Sequence, residues 1–332
     1  MNQKQITCCY FPTTILFVDD KLSFLKSLML SLDKKLAYQL FNNPTQTLDF
    51  LHNNYKPGTF TDNWLSTLKN SDENNKTTHS LIDIDVFSIH KEIYNPDRFQ
   101  EIAVVVVDYA MPDMDGLEFC QHLKDSQIKK LMLTGQASPD QAVEAFNSGV
   151  IQKFLSKDGL YSGQLNTNIS ELQRQYFHDL SSPIMSNLSR EPGYYLNDPA
   201  LITLFNKICK KHRIIEYYLV DSAGSFLMLD FEGKPSWLVI KTDQDVENHY
   251  NRAAACKNTS KIKSALQKRE KIPFFFTEAD KKIEPKDWKK YLHSANILIG
   301  RNKYHYAYIE GPSGYDIKTD KIASYKDHLA KL

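Results

Sequence analysis

The sequence predicts an α/β protein: a doubly wound, five-stranded parallel sheet with an insertion, followed by a second, α+β domain with an antiparallel sheet. Residues 104–107 are four consecutive valines, and such an apolar run is typical of a strand buried on both faces. Over residues 13–178, short apolar runs alternate with helical patterns, as in parallel sheets whose connections are helices. After residue 195, apolar runs follow one another through glycine turns, which indicates an antiparallel meander.

The elements of the first domain can be predicted in chain order. Its strands are predicted at residues 15–18, 38–41, 103–107, 130–133 and 150–155. Leucines at helical spacing predict a helix over residues 22–36. A later helix begins at Ser138-Pro139, a capping box with proline at the first helical position, and ends at Gly149. The last helix carries an apolar stripe that we expect to cover the sheet, with a dimer seam as the alternative: Leu165, Ile169, Leu172 and Tyr176.

Polar side chains follow four of these strands at or near the point where each strand ends. Asp19 and Asp20 follow the first strand, Asp108 follows the valine run, and Thr134 and Lys157 follow the last two. Because the carboxyl ends of parallel strands share one edge of the sheet, these side chains should lie close together. Adjacent buried acids are costly without a compensating cation, and carboxylate oxygens suit Mg²⁺. The sequence therefore predicts a magnesium site.

This arrangement resembles the receiver domain of bacterial two-component response regulators, a flavodoxin-like domain, over about residues 13–178. By position, the resemblance implies the following roles: Asp108 as phosphoacceptor, Asp19 and Asp20 as metal ligands with the Ala110 carbonyl, Thr134 as switch hydroxyl, Phe154 as switch aromatic and Lys157 as phosphate contact. It also implies phosphoryl transfer from a sensor histidine kinase to Asp108 with Mg²⁺, and a homodimer on phosphorylation. We expect a switch rather than an enzyme that turns over a substrate.

The chain departs from that pattern in two places. Asp158 follows Lys157, where family members commonly have proline, and we expect a trans peptide bond there because a cis bond without proline is costly. Residues 56–101 form an insertion. Its first part, 70–76, is polar, whereas Ile84 to Phe99 should pack back as a helix. A tolerated long loop is the simpler interpretation, and an appendage that tunes partner choice is the alternative.

Composition limits the classes of function. The 332 residues have no run of 18 apolar residues and no signal-peptide pattern, so we expect a cytoplasmic protein with no membrane partner. Five cysteines lack metal-site spacing and are expected to be reduced. Residues 1–194 hold 17 basic and 23 acidic residues, and residues 195–332 hold 24 and 17. The basic second half suits either nucleic acid or nucleotide binding, or simply solvated helix faces.

The segment Phe177 to Ile184, with sequence FHDLSSPI, resembles the phosphoacceptor box of histidine kinases. A kinase also needs a nucleotide-binding domain, and no glycine-rich ATP lid follows in the sequence. We therefore predict a helix end and a linker over residues 179–194, with a phosphorylated His178 as the minor alternative.

The second domain, residues 195–332, gives less information about function. Strands are predicted at 216–221, 225–231, 237–241, 295–299 and 304–309, with helices at 199–213 and 245–269. It contains no helix-turn-helix and no cyclase, phosphodiesterase or methylesterase motif. The whole chain resembles a response regulator of quorum sensing, which implies cell-density signalling. The leading hypothesis is a phosphorylation-controlled regulator that acts through dimerisation or a partner, and the alternative is a nucleotide- or nucleic-acid-binding effector in gene regulation.

Overall fold

The protein is described from a computed structural model. The described residues are 5–54, 65–69, 80–84, 86–123, 126–135, 139–158, 162–188, 195–221, 224–275, 277–311 and 317–332. The chain divides into two compact units. The parallel-sheet unit comprises Phe11–Asn63, Asp97–Ser182 and His328–Leu332, and the antiparallel-sheet unit comprises Met1–Tyr10, Trp64–Pro96 and Pro183–Asp327.

The strands in the described part of the chain are β1 (Cys9–Tyr10), β2 (Thr14–Val18), β3 (Tyr38–Phe41), β4 (Leu65–Lys69), β5 (Ser80–Ile84), β6 (Ile102–Asp108), β7 (Lys129–Thr134), β8 (Lys153–Ser156), β9 (Ile214–Leu219), β10 (Phe226–Asp230), β11 (Pro235–Thr242), β12 (Lys271–Pro273), β13 (Leu292–Ser294), β14 (Asn296–Ile299) and β15 (Lys303–Glu310).

The α-helices in those same residues are α1 (Leu22–Met29), α2 (Pro44–Asn54), α3 (Val86–Ile89), α4 (Gly116–His122), α5 (Pro139–Asn147), α6 (Ser162–Leu188), α7 (Pro199–His212), α8 (Asp243–Ala254), α9 (Ser260–Gln267), α10 (Glu278–Lys281) and α11 (Tyr325–Leu329). Short 3₁₀ helices span His90–Tyr94, Pro96–Gln100, Pro285–Tyr291 and Thr319–Lys321.

The parallel-sheet unit contains a five-stranded sheet in the order β3-β2-β6-β7-β8, and every neighbouring pair is parallel. The central strand β6 is buried along its whole length, as the valine run predicts. The predicted α/β fold class, a five-stranded parallel sheet with a separate antiparallel sheet, is confirmed.

Three predicted helices differ from those in the structure. The helix predicted over 245–269 is two helices, α8 and α9, separated at residues 255–259. The helix predicted over 22–36 ends at Met29, because the Ser31 hydroxyl donates to the Leu28 carbonyl and residues 33–36 form a turn of their own. The helix predicted over 84–99 is α3 followed by two 3₁₀ helices. Asn95, which precedes Pro96, is extended there (ψ 108°), as expected before proline.

Helix α6 carries the predicted apolar stripe. Leu165, Ile169, Leu172 and Tyr176 are all at most 1% exposed, so the stripe is packed within the protein and the alternative of a dimer seam is wrong. In the same helix, the side-chain amide of Gln173 donates a hydrogen bond to the hydroxyl of Thr13, the residue before β2. The helix continues through Pro183 to Leu188, and therefore runs through residues 179–188 of the predicted linker.

The antiparallel-sheet unit is built on a six-stranded sheet in the order β1-β9-β10-β11-β15-β14. The predicted meander forms its centre, and the neighbouring pairs are antiparallel. The two-residue strand β1 pairs with β9 through Cys9 and Tyr218. Residues 86–94 pack on β9. Residues 64–96 of the predicted insertion thus belong to this unit, while its polar segment 70–76 lies outside the described residues.

Candidate functional site

Four strands of the parallel sheet end together and bring the predicted site residues to one edge. Val18 in β2 pairs with Val107 in β6, so Asp19 and Asp108 follow neighbouring positions. Asp108 pairs with Leu133 in β7, and Thr134 pairs with Ser156 in β8. A parallel sheet in register therefore places side chains from distant parts of the sequence side by side.

Three carboxylates converge at this edge. Asp19, Asp20 and Asp108 each offer an oxygen, and these oxygens lie within 4.8 Å of one another. Asp19 and Asp108 are both 2% exposed. Oδ1 of Asp20 is buried and has no hydrogen-bond partner. A buried carboxylate oxygen without a donor is costly, so this cluster has the character of a site for a divalent cation.

Lys157 joins the carboxylates at the same edge. Its Nζ lies 2.6 Å from Oδ2 of Asp19 and 2.8 Å from Oδ2 of Asp108. The same Nζ lies 4.3 Å from the ring centroid of Phe24, a cation–π contact. The Lys157 N–H donates to the Thr134 carbonyl at 2.8 Å. One lysine thus partly neutralises the acidic cluster and links the loops after β7 and β8.

Burial raises the pKa of Asp108 above its ordinary value, and the charge of Asp19 adds to that rise. The Lys157 ammonium and the N–H of Ala110, which hydrogen-bond to the carboxylate, act in the opposite direction. The balance remains a rise, because the ionised form has lost solvent without gaining full compensation. Additional positive charge at this point would stabilise the ionised form.

The turn after β6 depends on Gly116. A Cβ at this position would lie 2.2 Å from the carbonyl oxygen of Asp108, and the Gly116 N–H donates to the Tyr109 carbonyl at 2.9 Å. Asp115 caps α4 by accepting a hydrogen bond from the Glu118 N–H. Only glycine allows the backbone to return so closely to Asp108.

The two predicted switch residues lie on adjacent strands. Thr134 is half-buried at the end of β7, and Phe154 in β8 has 43% of its surface exposed. Val143 and Phe146 of α5, which packs on β8, are 46% and 51% exposed. This face of the unit therefore presents three large apolar side chains to solvent.

The Lys157–Asp158 bond is trans, as predicted.

Sequence reasoning missed two contacts that hold Asp19 and Lys157. The Lys21 N–H donates to Oδ1 of Asp19 at 2.9 Å, and Phe24 of α1 lies against Lys157. The helical spacing of residues 22–36 predicted that a helix begins here. It did not indicate which side of its first turn faces a lysine more than a hundred residues away.

In the antiparallel-sheet unit, a cavity of about 620 Å³ lies beside the end of α7. Asp230, Glu232 and Glu310 are among its lining residues, with His212 and Lys234 as the basic ones. The His212 ring stacks on Tyr308 with ring centroids 3.9 Å apart. An excess of carboxylates disfavours phosphate groups in this cavity.

Helices of the described residues include none that is both long and apolar enough to cross a bilayer.

A family model described as "Response regulator receiver domain" matches residues 76–165. The matched segment contains Asp108, Thr134, Phe154 and Lys157, while Asp19 and Asp20 lie before it. A curated protein, response regulator RppA of Synechocystis, is 30% identical over 84 residues, which are 25% of this chain and 35% of that protein. The match thus spans about a third of that relative's length.

A solved structure matches almost the whole chain. It is the Legionella pneumophila response regulator LqsR, which is 37% identical to this chain. The alignment covers 98% of this chain and 96% of that one, with a TM-score of 0.81. The likeness therefore extends over both the parallel-sheet and the antiparallel-sheet units.

Proposed function

Because the chain belongs to the response regulators, we propose that Asp108 accepts a phosphoryl group from a phosphohistidine of a sensor kinase. One observation carries the proposal: Asp108 is buried beside two further aspartates and within 2.8 Å of the Lys157 ammonium. We assign the receiver function to the parallel-sheet unit and the output function to the antiparallel-sheet unit.

The chemistry follows from the surroundings of Asp108. A carboxylate oxygen of Asp108 attacks phosphorus, the P–N bond of the donor breaks, and an acyl phosphate forms. The protein contributes position and charge, since phosphoryl transfer asks for little else. Lys157 is close enough to bind a phosphoryl oxygen. The Thr134 hydroxyl, on the neighbouring strand, is the proposed hydrogen-bond donor to the phosphoryl group.

The residues present fit a magnesium ion. Asp19, Asp20 and Asp108 supply oxygen ligands, and the buried Asp20 Oδ1 has no other partner. We also propose the carbonyl of Ala110 as a ligand. When bound, Mg²⁺ supplies positive charge that offsets repulsion between the carboxylates and the phosphoryl oxygens.

The proposed output is a change in association. Phosphorylation adds about −1.5 to −2 charges at this edge, and Thr134 moving toward the new oxygens would leave space for Phe154. Phe154 is exposed in β8, the strand on which α5 packs with its exposed Val143 and Phe146. We propose that this face forms a homodimer once Asp108 is phosphorylated. A role in cell-density signalling is what the resemblance of the whole chain implies.

The test is treatment of the full chain with acetyl phosphate and Mg²⁺, followed by intact mass and light scattering. We expect one acyl phosphate per chain, identified by its removal with hydroxylamine, and a shift to dimer. Asp108→Asn should form no acyl phosphate, and Phe154→Ala should form it normally without dimerising. Exposed Asp158→Asn is the matched control and should behave as the wild type. Equal acyl phosphate formation by Asp108→Asn would contradict the proposal.

A second candidate is binding of nucleic acid by the antiparallel-sheet unit, favoured by the exposed side chains of Lys210, Lys211 and Arg213 near the end of α7. Electrostatic binding should weaken steeply as salt increases. The measurement is a binding series at rising salt with the full chain, and a lack of binding at low salt would eliminate this candidate.

A further inference from the structure

His178 lies in the middle of α6 rather than in a linker. Its side chain is 55% exposed, whereas the preceding Tyr176 and Phe177 are fully buried and Ser181 is 1% exposed. Buried neighbours on the same helix fix the backbone at this point. The backbone at His178 is therefore fixed, while its imidazole remains open to a reaction partner.

The tautomer of this imidazole follows from its contact with Asp179. Nδ1 of His178 lies 3.2 Å from Oδ1 of Asp179. A carboxylate can only accept, so Nδ1 carries the proton and donates it. In the neutral imidazole, Nε2 then bears the lone pair. This is the protonation pattern of an imidazole prepared to act as a nucleophile, with a carboxylate that orients it.

Lys129 holds the carboxylate in turn. Its Nζ lies 2.5 Å from Oδ2 of Asp179, and the Lys129 side chain is only 9% exposed. Asp179 is thus anchored on one side and turned to the imidazole on the other. The lysine also limits the repulsion that an incoming phosphoryl group would meet from Asp179.

We propose that His178 is a second phosphoacceptor of this protein, and that it takes its phosphoryl group from an aspartyl phosphate of a receiver domain. Nε2 attacks phosphorus and forms a P–N bond. The acyl O–P bond breaks, and its electron pair returns to the donor carboxylate. The ring gains positive charge, and the Asp179 carboxylate stabilises that charge by accepting the Nδ1 proton in a hydrogen bond. No nucleotide takes part in this step.

The inference goes beyond phosphorylation of Asp108 and can be tested without it. The full-length Asp108→Asn chain is treated with phosphoramidate and followed by intact mass and by peptide mapping at neutral pH. We expect one phosphoryl group on His178 that is stable in alkali and lost in acid, as P–N bonds are. Asp108→Asn combined with His178→Gln should not acquire it.

Two further variants of the Asp108→Asn chain distinguish labelling of an oriented His178 from labelling of any exposed histidine. Asp179→Asn should slow labelling by about tenfold or more, because the imidazole loses its orienting acceptor. His122→Gln, which removes another exposed imidazole, should leave the rate unchanged. Equal labelling of several histidines, or an unchanged rate in Asp179→Asn, would overturn the proposal.

A final arm identifies the donor and rests on the proposed phosphorylation of Asp108. Phosphorylated His178→Gln chain is mixed with unlabelled Asp108→Asn chain. Appearance of the phosphoryl group on His178 would identify a second copy of this protein as the donor. Retention on Asp108, with no phosphoryl group on His178, would contradict transfer from an aspartyl phosphate to His178.

Discussion

The two units of this protein surround their buried carboxylates in opposite ways. In the parallel-sheet unit, burial raises the pKa of Asp108, and Asp20 has a buried oxygen without a donor. In the antiparallel-sheet unit, burial alone would raise the pKa of Asp198, but the Tyr304 hydroxyl and two backbone N–H groups lower it below its ordinary value. The carboxylates of the acidic cluster are only partly compensated, by Lys157, whereas Asp198 accepts a full set of hydrogen bonds.

We propose that this difference separates a reactive site from a structural one. Asp198 caps α7 through the Ala200 N–H and accepts two more hydrogen bonds, from the Arg301 N–H and Tyr304, both at 2.7 Å. Asp198 thus links the start of α7 to β15 through hydrogen bonds. The acidic cluster has a buried carboxylate oxygen without a donor, and a divalent cation would supply the positive charge that it lacks.

The largest effect should come from the backbone of the reactive edge. Gly116→Ala places a Cβ 2.2 Å from the Asp108 carbonyl, so we expect a loss of about 3 kcal/mol in the free energy of unfolding and slow acyl phosphate formation. Chemical denaturation measures the first and intact mass the second. Gly135→Ala, whose Cβ would meet nothing within 4 Å, is the control. Equal stability of both variants would contradict the proposed backbone role.

The next largest effect should come from Asp198, the structural carboxylate of the antiparallel-sheet unit. Asp198→Ala removes a helix cap and leaves three donors without an acceptor, which should cost about 2–3 kcal/mol. Labelling of Asp108 should persist under conditions where the variant is folded. Asn197→Ala, an exposed change in the same loop, should be near neutral. An effect of Asp198→Ala no larger than that of Asn197→Ala would break the comparison between the two units.

The stability of the antiparallel-sheet unit should depend on pH through His249. Burial, together with nearby Lys241, lowers the pKa of His249 to about 4 from an ordinary value of 6.5. The unfolded chain therefore binds a proton between these pH values while the folded chain does not, so stability falls as pH drops from 6.5 to 4. We expect the free energy of unfolding to fall by about 2 kcal/mol over this pH range. This is less than the full pKa shift would give, because the His249 ring is only partly buried. Denaturation of His249→Gln should show a shallower loss, and an identical pH profile would exclude His249 as its source.

The smallest expected effect has the opposite sign. Asp20→Asn removes one of three crowded charges, so without divalent ions the variant should be more stable than the wild type by about 1 kcal/mol. Mg²⁺ should stabilise the wild type and have little effect on Asp20→Asn. Thermal unfolding with EDTA and with Mg²⁺ measures both. A wild type indifferent to Mg²⁺ would argue against the metal site.

The sequence predicted the parts of this protein that depend on local pattern. Residues 38–41 form a strand with the predicted bounds, and aspartates after parallel strands meet because those strands share an edge. Residues 9–10 were missed as a strand, since their partner near Tyr218 is about two hundred residues away. The inclusion of residues 64–96 in the antiparallel-sheet unit is likewise non-local. Pro183 suggested a break where α6 in fact continues.

The central claim is that Asp108 becomes an acyl phosphate with the help of its acidic neighbours and a divalent ion. Borohydride reduction of the acetyl phosphate-treated chain, followed by peptide mapping, tests it most directly because an acyl phosphate is reduced to homoserine. The account predicts homoserine at position 108, formed only with Mg²⁺ present and diminished in Asp20→Asn. Homoserine at another aspartate, or an unmodified Asp108 in the folded chain, would contradict it.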